Sequence, residues 1–420
     1  MNRLHYHKLR DLYEINSGIS TSKQQAGHGA PFVSFSDVYN NYFLPEVLTE
    51  RMDTSSAEQE KYSVKAGDVF LTRTSETLDE LAMSSVALRD YPEATFSGFT
   101  KRLRPLDCKE PDPKFMGFFF RSGYFRKIIN NVTTMTTRAS FNETIFSHIE
   151  VALPNIDDQR RIGSFLYSIE EKIQINRSVN QLIAQHLNLL YGYWFLQFSF
   201  PDSAGSPYRE ANNPMTWNDE LGREIPSHWH VAPLTNNRLC RLIKPGVDKF
   251  RTKTYIATSD VVGTSLGSGS VIGFENRESR ANMQPTLNSI WFARMKASRK
   301  HLFLNEGAAA LIDSSILSTG FCGLQANEIS FPYISALVAS PYFEQAKDQF
   351  ANGATQQAVS NTDLMHVKII IPDDTTLRAF AKISSPLISL FNSNIIENRS
   401  LEAVRDWILP FLVNGQARPE

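Results

Sequence analysis

The stretch HIEVALPNIDDQRRIGSFLYSIEEKIQINRSVNQLI (residues 148–183) changes from a strand-like run into a long helical pattern. A related stretch, HVKIIIPDDTTLRAFAKISSPLISLFNSNIIENRSL, occupies residues 366–401. In both, a proline (Pro154 or Pro372) is followed within a few residues by an acidic pair, which suits the first turn of a helix. The chain therefore contains two copies of a unit in which a strand leads into a long helix.

The correspondence between the copies extends upstream of both stretches. Arg73 after VFLT matches Arg294 after IWFA, and SGYF at 122–125 matches SPYF at 340–343. A repeat of this length indicates two equivalent modules on one chain. We therefore predict an α+β protein with pseudo-twofold symmetry, in which each half is a mixed, strand-rich globule followed by a long helix.

Both helical stretches carry mostly apolar residues at alternating steps of four and three, which is the spacing of a coiled coil. Each ladder has two asparagines at its middle, and buried asparagines fix the register of paired helices. We predict that the helices pair as an antiparallel coiled coil with these asparagines together. The alternative is that each helix packs on its own globule with its asparagines in water. The predicted coiled-coil positions are Ile169, Ile173, Asn176, Asn180, Ile183 and Leu187 in the first helix, and Leu387, Phe391, Asn394, Asn398, Leu401 and Ile408 in the second.

The length fits several domains, because 420 residues with 42% hydrophobic side chains exceed one ordinary core. A segment rich in Pro, Ser, Asn and Gly between the halves is typical of an ordered linker. Pro386 predicts a kink or a restart in the second helix. The predicted boundaries are 1–154 for the first globule, 155–198 for the first helix, 199–226 for the linker, 227–372 for the second globule and 373–412 for the second helix.

Composition also limits the compartment and the chemistry. The net charge is −1, and the three cysteines lie far apart without a CxxC pair, which favours a reducing compartment and suggests neither a zinc site nor a disulfide framework. The sequence has no signal-peptide core and no apolar run of membrane length, so we expect a cytoplasmic protein without membrane contact. It also has no phosphate-binding P-loop and no HExxH motif, so we expect a non-catalytic chain.

Local charge points to a possible ligand. Over residues 227–372 basic side chains outnumber acidic ones, whereas residues 1–150 are nearly balanced. Basic loops neutralise phosphates, and glutamine and threonine in the loops 133–140 and 353–360 can read adenine edges and thymine methyls. The alternative for each cluster is an ordinary solvated surface. The candidate DNA contacts are Arg73, Thr74, Lys101, Arg102, Thr137 and Arg138 in the first half, and Lys253, Arg294, Lys296, Arg299, Lys300, Thr355, Gln356 and Gln357 in the second.

Taken together, these features resemble the specificity subunits of type I restriction–modification systems. The resemblance lies in the boundary pattern HIEVALPNIDDQRRIG (148–163), the helix pattern EKIQINRSVN (171–180), the run IPSHW (225–229) and the loop GATQQ (353–357). It covers nearly the whole chain. No single motif is decisive, but the ordered set is specific.

The second copy departs from the family at one point. Where the family has Glu-Gln after the boundary proline, the first copy has Asp158-Gln159 and the second has Thr376-Leu377. The contacts made by the start of the second helix are therefore less defined by the resemblance than those of the first.

The resemblance implies two target recognition domains (1–154 and 227–372) that each read one half of a split double-stranded DNA site. It also implies two conserved helices that form an antiparallel spacer and a docking surface. The implied partners are two methyltransferase (modification) subunits and, in the full complex, restriction/translocase subunits. S-adenosylmethionine, ATP and Mg²⁺ are then expected on the partners and no cofactor on this chain. The rival readings are a standalone DNA-modifying enzyme and a coiled-coil scaffold with two protein-binding domains.

Overall fold

The computed structural model describes residues 4–20, 22–75, 80–107, 111–132, 139–353 and 356–419. The chain divides into two compact units: Met1–Glu171 with Glu402–Glu420 form the first, and Lys172–Leu401 form the second. The first long helix begins in the first unit and ends in the second, and the second long helix does the reverse. Each unit therefore combines one globule with a part of both helices.

The first unit is strand-rich, as the sequence predicts. Its strands are β1 (His5–Lys8), β2 (Tyr13–Ser17), β3 (Ala26–Val33), β4 (Arg51–Met52), β5 (Val69–Thr72), β6 (Thr74–Ser75), β7 (Ser84–Val86), β8 (Thr95–Phe96), β9 (Thr100–Pro105), β10 (Ala139–Ser140) and β11 (Glu150–Leu153). Its helices are α1 (Leu9–Leu12), α2 (Phe35–Asn40), α3 (Ser56–Lys61), α4 (Pro113–Phe119), α5 (Gly123–Val132), α6 (Glu143–His148) and the first part of α7 (Ile156–Tyr191).

The second unit repeats this composition after a π-helical turn, Gly192–Leu196, that prolongs α7. Its strands are β12 (Met215–Asn218), β13 (Arg223–Pro226), β14 (His230–Pro233), β15 (Cys240–Leu242), β16 (Lys253–Ile256), β17 (Val261–Val262), β18 (Ser265–Leu266), β19 (Ser270–Ile272), β20 (Ala281–Met283), β21 (Ser289–Ala293), β22 (His301–Leu304), β23 (Ser315–Ser318), β24 (Phe321–Ala326) and β25 (Lys368–Ile371). Its helices are α8 (Ala309–Ser314), α9 (Phe331–Ala339), α10 (Pro341–Gln349) and most of α11 (Asp374–Val413).

The two globules share most of their topology, although the second adds β20 to the sheet β19-β16-β23-β20, where the first has β4-β3-β8. The antiparallel sheet β2-β9-β5-β7 of the first has the same order as β15-β24-β21-β22 of the second. A parallel pair joins β3 to β8 in the first globule and β16 to β23 in the second. The first and last strands of each globule also pair, β1 with β11 and β14 with β25. The predicted repeat of a mixed, strand-rich module is therefore confirmed.

The long helices complete the hydrophobic core of each unit. In the first unit, Ile162 and Leu166 of α7 and Leu412 of α11 lie in the same buried cluster as the phenylalanines of α4. In the second unit, Leu187 and Phe391 belong to the main cluster. Burying an aliphatic or aromatic side chain contributes roughly 1.5–3 kcal/mol, so the helices and globules stabilise each other.

The central asparagines lie inside the second unit and bond to each other. The Nδ2 of Asn176 donates to Oδ1 of Asn398 over 2.9 Å, and the Nδ2 of Asn394 donates to Oδ1 of Asn180 over 2.9 Å. The residue numbers rise along one helix as they fall along the other, so the helices run antiparallel at these contacts. All four side chains are buried. The alternative that the asparagines face water is therefore wrong for this unit.

The restart predicted at Pro386 is wrong. The helix α11 continues without interruption from Asp374 to Val413. Pro386 has no N–H for the carbonyl of Lys382. On either side of it, however, Phe380 and Ile388 are fully buried, and their packing holds the two segments in one helix.

The start of α11 is capped from within its own unit. Asp373 accepts hydrogen bonds from the backbone N–H of Thr376 (2.9 Å) and from Nε1 of Trp229 (3.0 Å). Trp229 belongs to the IPSHW run and stacks on Phe200 of the predicted linker, with ring centroids 4.7 Å apart. The run at 225–229 therefore connects the linker to the start of the second helix.

We predict that Asp373→Ala lowers the free energy of unfolding by about 1 kcal/mol at neutral pH, because a helix cap is lost. Burial alone would raise the pKa of the Asp373 carboxyl, but hydrogen bonds from Thr376 and Trp229 and the nearby His228 lower it to about 2. A carboxyl whose folded-state pKa is depressed contributes stability above its unfolded pKa and loses it as the pH falls. Urea unfolding followed by tryptophan fluorescence should show the difference from wild type shrinking between about pH 5 and pH 2.

Thr375→Ala, an exposed neighbour at the same helix start, is the control for this prediction and should leave the midpoint nearly unchanged. A deficit in the Asp373 variant that stays constant down to pH 2 would contradict the assignment of the effect to the ionised carboxylate.

Candidate nucleic-acid interface

Two arginines occupy the same place in the two modules. Arg73 follows the central strand β5, and Arg294 follows the equivalent strand β21. Matching backbone hydrogen bonds hold them: Arg73 N to Phe99 O (2.8 Å) and Phe141 N to Arg73 O (2.8 Å) in the first unit, and Arg294 N to Gly320 O (3.0 Å) and Val359 N to Arg294 O (3.0 Å) in the second. In each module the segment after the predicted Gln- or Thr-rich loop is thus fixed beside the arginine.

In the second unit this arrangement forms one polar surface. The segment 294–300 is named here the basic loop, and the segment 356–358 the glutamine loop. The N–H of Lys296 donates to the carbonyl of Gln357 over 2.9 Å, which joins the two loops. Lys296, Arg299, Gln356 and Gln357 all have exposed side chains. Two cations and two amides are therefore available to a ligand, which is a chemistry suited to phosphates and base edges.

The other predicted cations of the second unit are engaged within the protein. The Nζ of Lys300 donates to the carbonyl of Thr258 over 2.6 Å, and the Nζ of Lys253 donates to Oε1 of Gln284 over 3.0 Å. Arg294 donates to Oδ1 of Asn361 over 2.7 Å and to the carbonyl of Phe321 over 3.1 Å. All three cations are half-buried.

In the first unit only part of the predicted set lies on the surface. Arg73 is exposed, and Thr74 is half-buried. Lys101 and Arg102 are buried, so their prediction as DNA contacts is corrected. Their strand β9 lies between β2 and β5. The Lys101 amine bonds to the Ser17 hydroxyl (2.7 Å), and the Arg102 guanidinium bonds to the Ser63 carbonyl (2.6 Å).

Three predicted contacts, Thr137, Arg138 and Thr355, lie outside the described residues. One exposed residue of the surface was missed, namely Met295, which lies in the basic loop between Arg294 and Lys296. It matches Thr74 of the first module, which also follows the arginine. Both side chains carry a methyl group. The equivalence of the two positions in the repeat is the signal by which Met295 could have been found from the sequence.

The described part of the chain contains no cluster of three or more His, Cys, Asp or Glu side chains placed to hold a metal ion. Burial raises the pKa of Cys240 to about 12 and that of Cys322 to about 11, so both thiols are protonated at neutral pH. Among the helices of the described residues, none is both long and apolar enough to cross a membrane.

The two modules thus repeat one arrangement, in which an arginine follows the equivalent strand. Residues 4–185 match the family model described as the type I restriction modification DNA specificity domain. This part of the chain therefore carries that domain, and the resemblance to type I specificity subunits is confirmed.

Similarity to known proteins extends over nearly the whole chain. The type I restriction enzyme MjaIX specificity subunit of Methanocaldococcus jannaschii is 21% identical, over 98% of this chain and 93% of its own length. The HindI specificity subunit of Haemophilus influenzae is 20% identical, over 92% of this chain and 94% of its own. The crystal structure of the type I restriction–modification S subunit from M. genitalium has the same fold, with a TM-score of 0.53 at 15% identity over 100% of this chain and 97% of that one.

Proposed function

We propose that the chain is the non-catalytic DNA-recognition subunit of a type I restriction–modification complex and that it reads a two-part target in double-stranded DNA. The observation that carries the proposal is the repetition of one module, with Arg73 and Arg294 held at the same place after equivalent strands of sheets that have the same strand order. Two equivalent readers on one chain suit a site with two halves. The first target recognition domain spans 1–154 and the second 227–372.

The exposed side chains suit this role. Lys296 and Arg299 carry positive charge towards solvent and neutralise phosphates, which gives affinity without sequence preference. Gln356 and Gln357 offer a paired donor and acceptor, the combination that binds the N6 and N7 edge of adenine. Met295 offers an apolar contact of the kind that a thymine methyl accepts.

The helices supply the second part of the proposal, as a spacer (155–198 and 373–412) and as the docking surface for two modification subunits. Exposed apolar side chains recur along both, and contiguous apolar surface marks sites of protein association. These side chains are Phe165, Ile175, Leu182 and Leu189 on α7, and Ile383, Leu390, Val404, Trp407 and Phe411 on α11. Adenine methylation with S-adenosylmethionine then belongs to the modification subunits, and ATP- and Mg²⁺-dependent translocation belongs to restriction subunits.

We predict different effects for two exposed residues in the complex with modification subunits. Lys296→Ala should weaken binding to all sequences alike and lower the slope of log affinity against log salt by about one unit, because one phosphate contact is lost. Gln356→Ala should lower affinity for the cognate site by about 1–3 kcal/mol and relax the preference at one base pair. Fluorescence anisotropy with a panel of single-substituted duplexes at several salt concentrations measures both effects.

Lys382→Ala, an exposed lysine of α11 outside both loops, is the matched control and should leave the salt slope unchanged. Equal loss of affinity on every duplex for Gln356→Ala would contradict base reading by this residue. Methylation of DNA by the isolated chain would point instead to a standalone enzyme, and binding without salt dependence would point to a protein scaffold.

A further inference from the structure

A buried lysine is hydrogen-bonded to the backbone just before the basic loop and within it. Lys347 lies on α10 with its side chain fully enclosed. Its Nζ donates to the carbonyl of Ser298 over 3.0 Å and to the carbonyl of Ala293 over 3.4 Å. The next residue of the helix, Asp348, accepts a hydrogen bond from the N–H of Ala297 over 3.0 Å. Two adjacent helix residues thus hold the backbone of the loop at three points.

The lysine is itself fixed by a buried acid. Glu344, one turn earlier on α10, lies 2.8 Å from Lys347 and 2.8 Å from Nε2 of His301, the residue that follows the loop. Burial raises the pKa of the Glu344 carboxyl, but hydrogen bonds from His301 and Lys347 outweigh this and leave it below its usual value. The carboxylate is therefore ionised at neutral pH, and the three side chains form one connected network beneath the loop.

The loop is held in a conformation that the backbone does not prefer. Ala297 has a φ of 58°, in the left-handed region that non-glycine residues rarely adopt. Such residues persist only where the surroundings fix them, and they concentrate at functional sites. Here the fixing group is Asp348, whose carboxylate accepts the N–H of that same alanine.

The first module shows that the fold does not need this network. At the position of Lys347 it has Ile129, and at the position of Glu344 it has Arg126. Arg126 donates to the carbonyl of Leu81, which lies three residues before β7 as Ser298 lies three residues before β22, so a different side chain on the equivalent helix α5 holds the equivalent loop. Each module thus holds this loop from the equivalent helix, and the side chains Glu344, Lys347 and Asp348 are particular to the second module.

We propose that Glu344, Lys347 and Asp348 form a brace that sets the shape of the basic loop, so that discrimination at the second half-site depends on residues that do not touch DNA. The inference rests on the proposed function and adds positioning residues to it. Hydrogen bonding to base edges demands donor–acceptor distances near 2.7–3.2 Å, and a preorganised loop meets that demand without an ordering cost on binding. Lys347 acts through Met295, which the loop carries, and through Gln357, whose carbonyl accepts the N–H of Lys296 and so ties the glutamine loop to the basic loop.

The test uses the full chain in complex with its modification subunits and measures binding to three duplexes. One duplex is cognate, one is altered in the first half-site, and one is altered in the second. Lys347→Met keeps the length of the side chain and removes its charge. It should reduce discrimination against the duplex altered in the second half-site by about tenfold, a size typical of one base pair. Discrimination at the first half-site should stay within about twofold, because the first module has its own loop, held by Arg126 rather than by these three side chains. A change of that size is within the usual error of additivity for independent sites.

A second variant keeps the proposal testable if Lys347→Met does not fold. The Asp348 side chain is partly exposed, so Asp348→Ala should fold normally and show a smaller loss in the same direction. Gln345→Ala, exposed on the same helix, is the control. The salt slope should not change in any of the three variants, because none removes a phosphate contact, whereas a lysine that bound phosphate directly would lower it by about one unit.

The outcomes separate the two claims. Unchanged discrimination at the second half-site in both the Lys347 and Asp348 variants would overturn the brace and leave the proposed function standing. Equal loss at both half-sites would reveal general destabilisation and would also overturn it. A wild-type complex that discriminates at neither half-site would overturn the proposed function and this inference together.

Discussion

Exchange of residues 228–370 for the equivalent segment of another specificity subunit is expected to change one half of the methylated DNA motif and to leave the other half unchanged. The second module has its own sheets and its own hydrophobic core within Lys172–Leu401. It also carries a complete reading surface in the basic and glutamine loops. Sequencing-based methylation mapping of cells that express the chimera with the modification subunits measures the result directly.

The junctions of this chimera follow from strand pairing. The segment begins just before β14 and ends within β25, and these strands pair antiparallel with His230 opposite Ile371. The chain therefore enters and leaves the module side by side, and a homologous segment can be inserted without rerouting it. The same holds for the first module, where His5 lies opposite Leu153.

The reciprocal exchange of residues 4–153 is the matched control, and it should change only the other half of the motif. A chimera that altered both halves would show that the modules read DNA as one coupled surface. A chimera with an unchanged motif would show that the specificity lies outside residues 228–370. Either result would contradict the assignment of one reader to each half of the chain.

The sequence was most informative where a periodic pattern repeats. The ladder through Ile173, Asn176 and Asn180 is buried or half-buried throughout, because a spacing of four and three keeps one face of a helix turned to its partner. The likeness of the two modules also follows from the repeat, and their main sheets do have the same strand order. Patterns of this kind are local, so they can be recognised in a sequence without knowledge of distant contacts.

Single charged residues were predicted less well, because their neighbours are distant in the sequence. Lys101 and Arg102 belong to a strand that pairs on both sides, and their partners Ser17 and Ser63 lie far upstream. Lys347 is equally hidden, since Ala293 and Ser298 are its partners across the module. A cation on the surface and a cation that pins a carbonyl look alike in a sequence. Only the packing of the module distinguishes them.

Arg405→Leu is expected to destabilise the first unit by about 3–5 kcal/mol, because it removes the guanidinium that pairs with the buried Glu170 carboxylate. In the native protein the Nη1 of Arg405 donates to Oε2 of Glu170 over 2.6 Å, and both side chains are buried. The guanidinium also lies over the ring of Tyr42, 4.7 Å from its centroid. Denaturant unfolding of the full chain, compared with wild type at the same pH, measures the loss.

The double variant Glu170→Ile/Arg405→Leu is expected to recover most of that loss, to within about 1 kcal/mol of wild type, since a buried ion pair often exchanges with apolar residues at little net change. The repeat shows which apolar residues fit these two positions. Position 170 corresponds by the repeat to Ile388, and position 405 corresponds to Leu187. Both are fully buried in the core of the second unit. The same helical positions thus accept an apolar pair in one module and an ion pair in the other.

Glu170→Ile alone completes the double-mutant cycle. It should also be strongly destabilising, because it removes the buried carboxylate that pairs with the Arg405 guanidinium. If the two single losses simply add in the double variant, the ion pair contributes no coupling, and the large single effect must come from the other contacts of Arg405, which include Tyr42 and Asp406. If the double variant is more stable than the sum of the two single losses predicts, the ion pair contributes a coupling energy. The stability of the first unit then depends on the charges matching across the two helices, not on their presence at these positions.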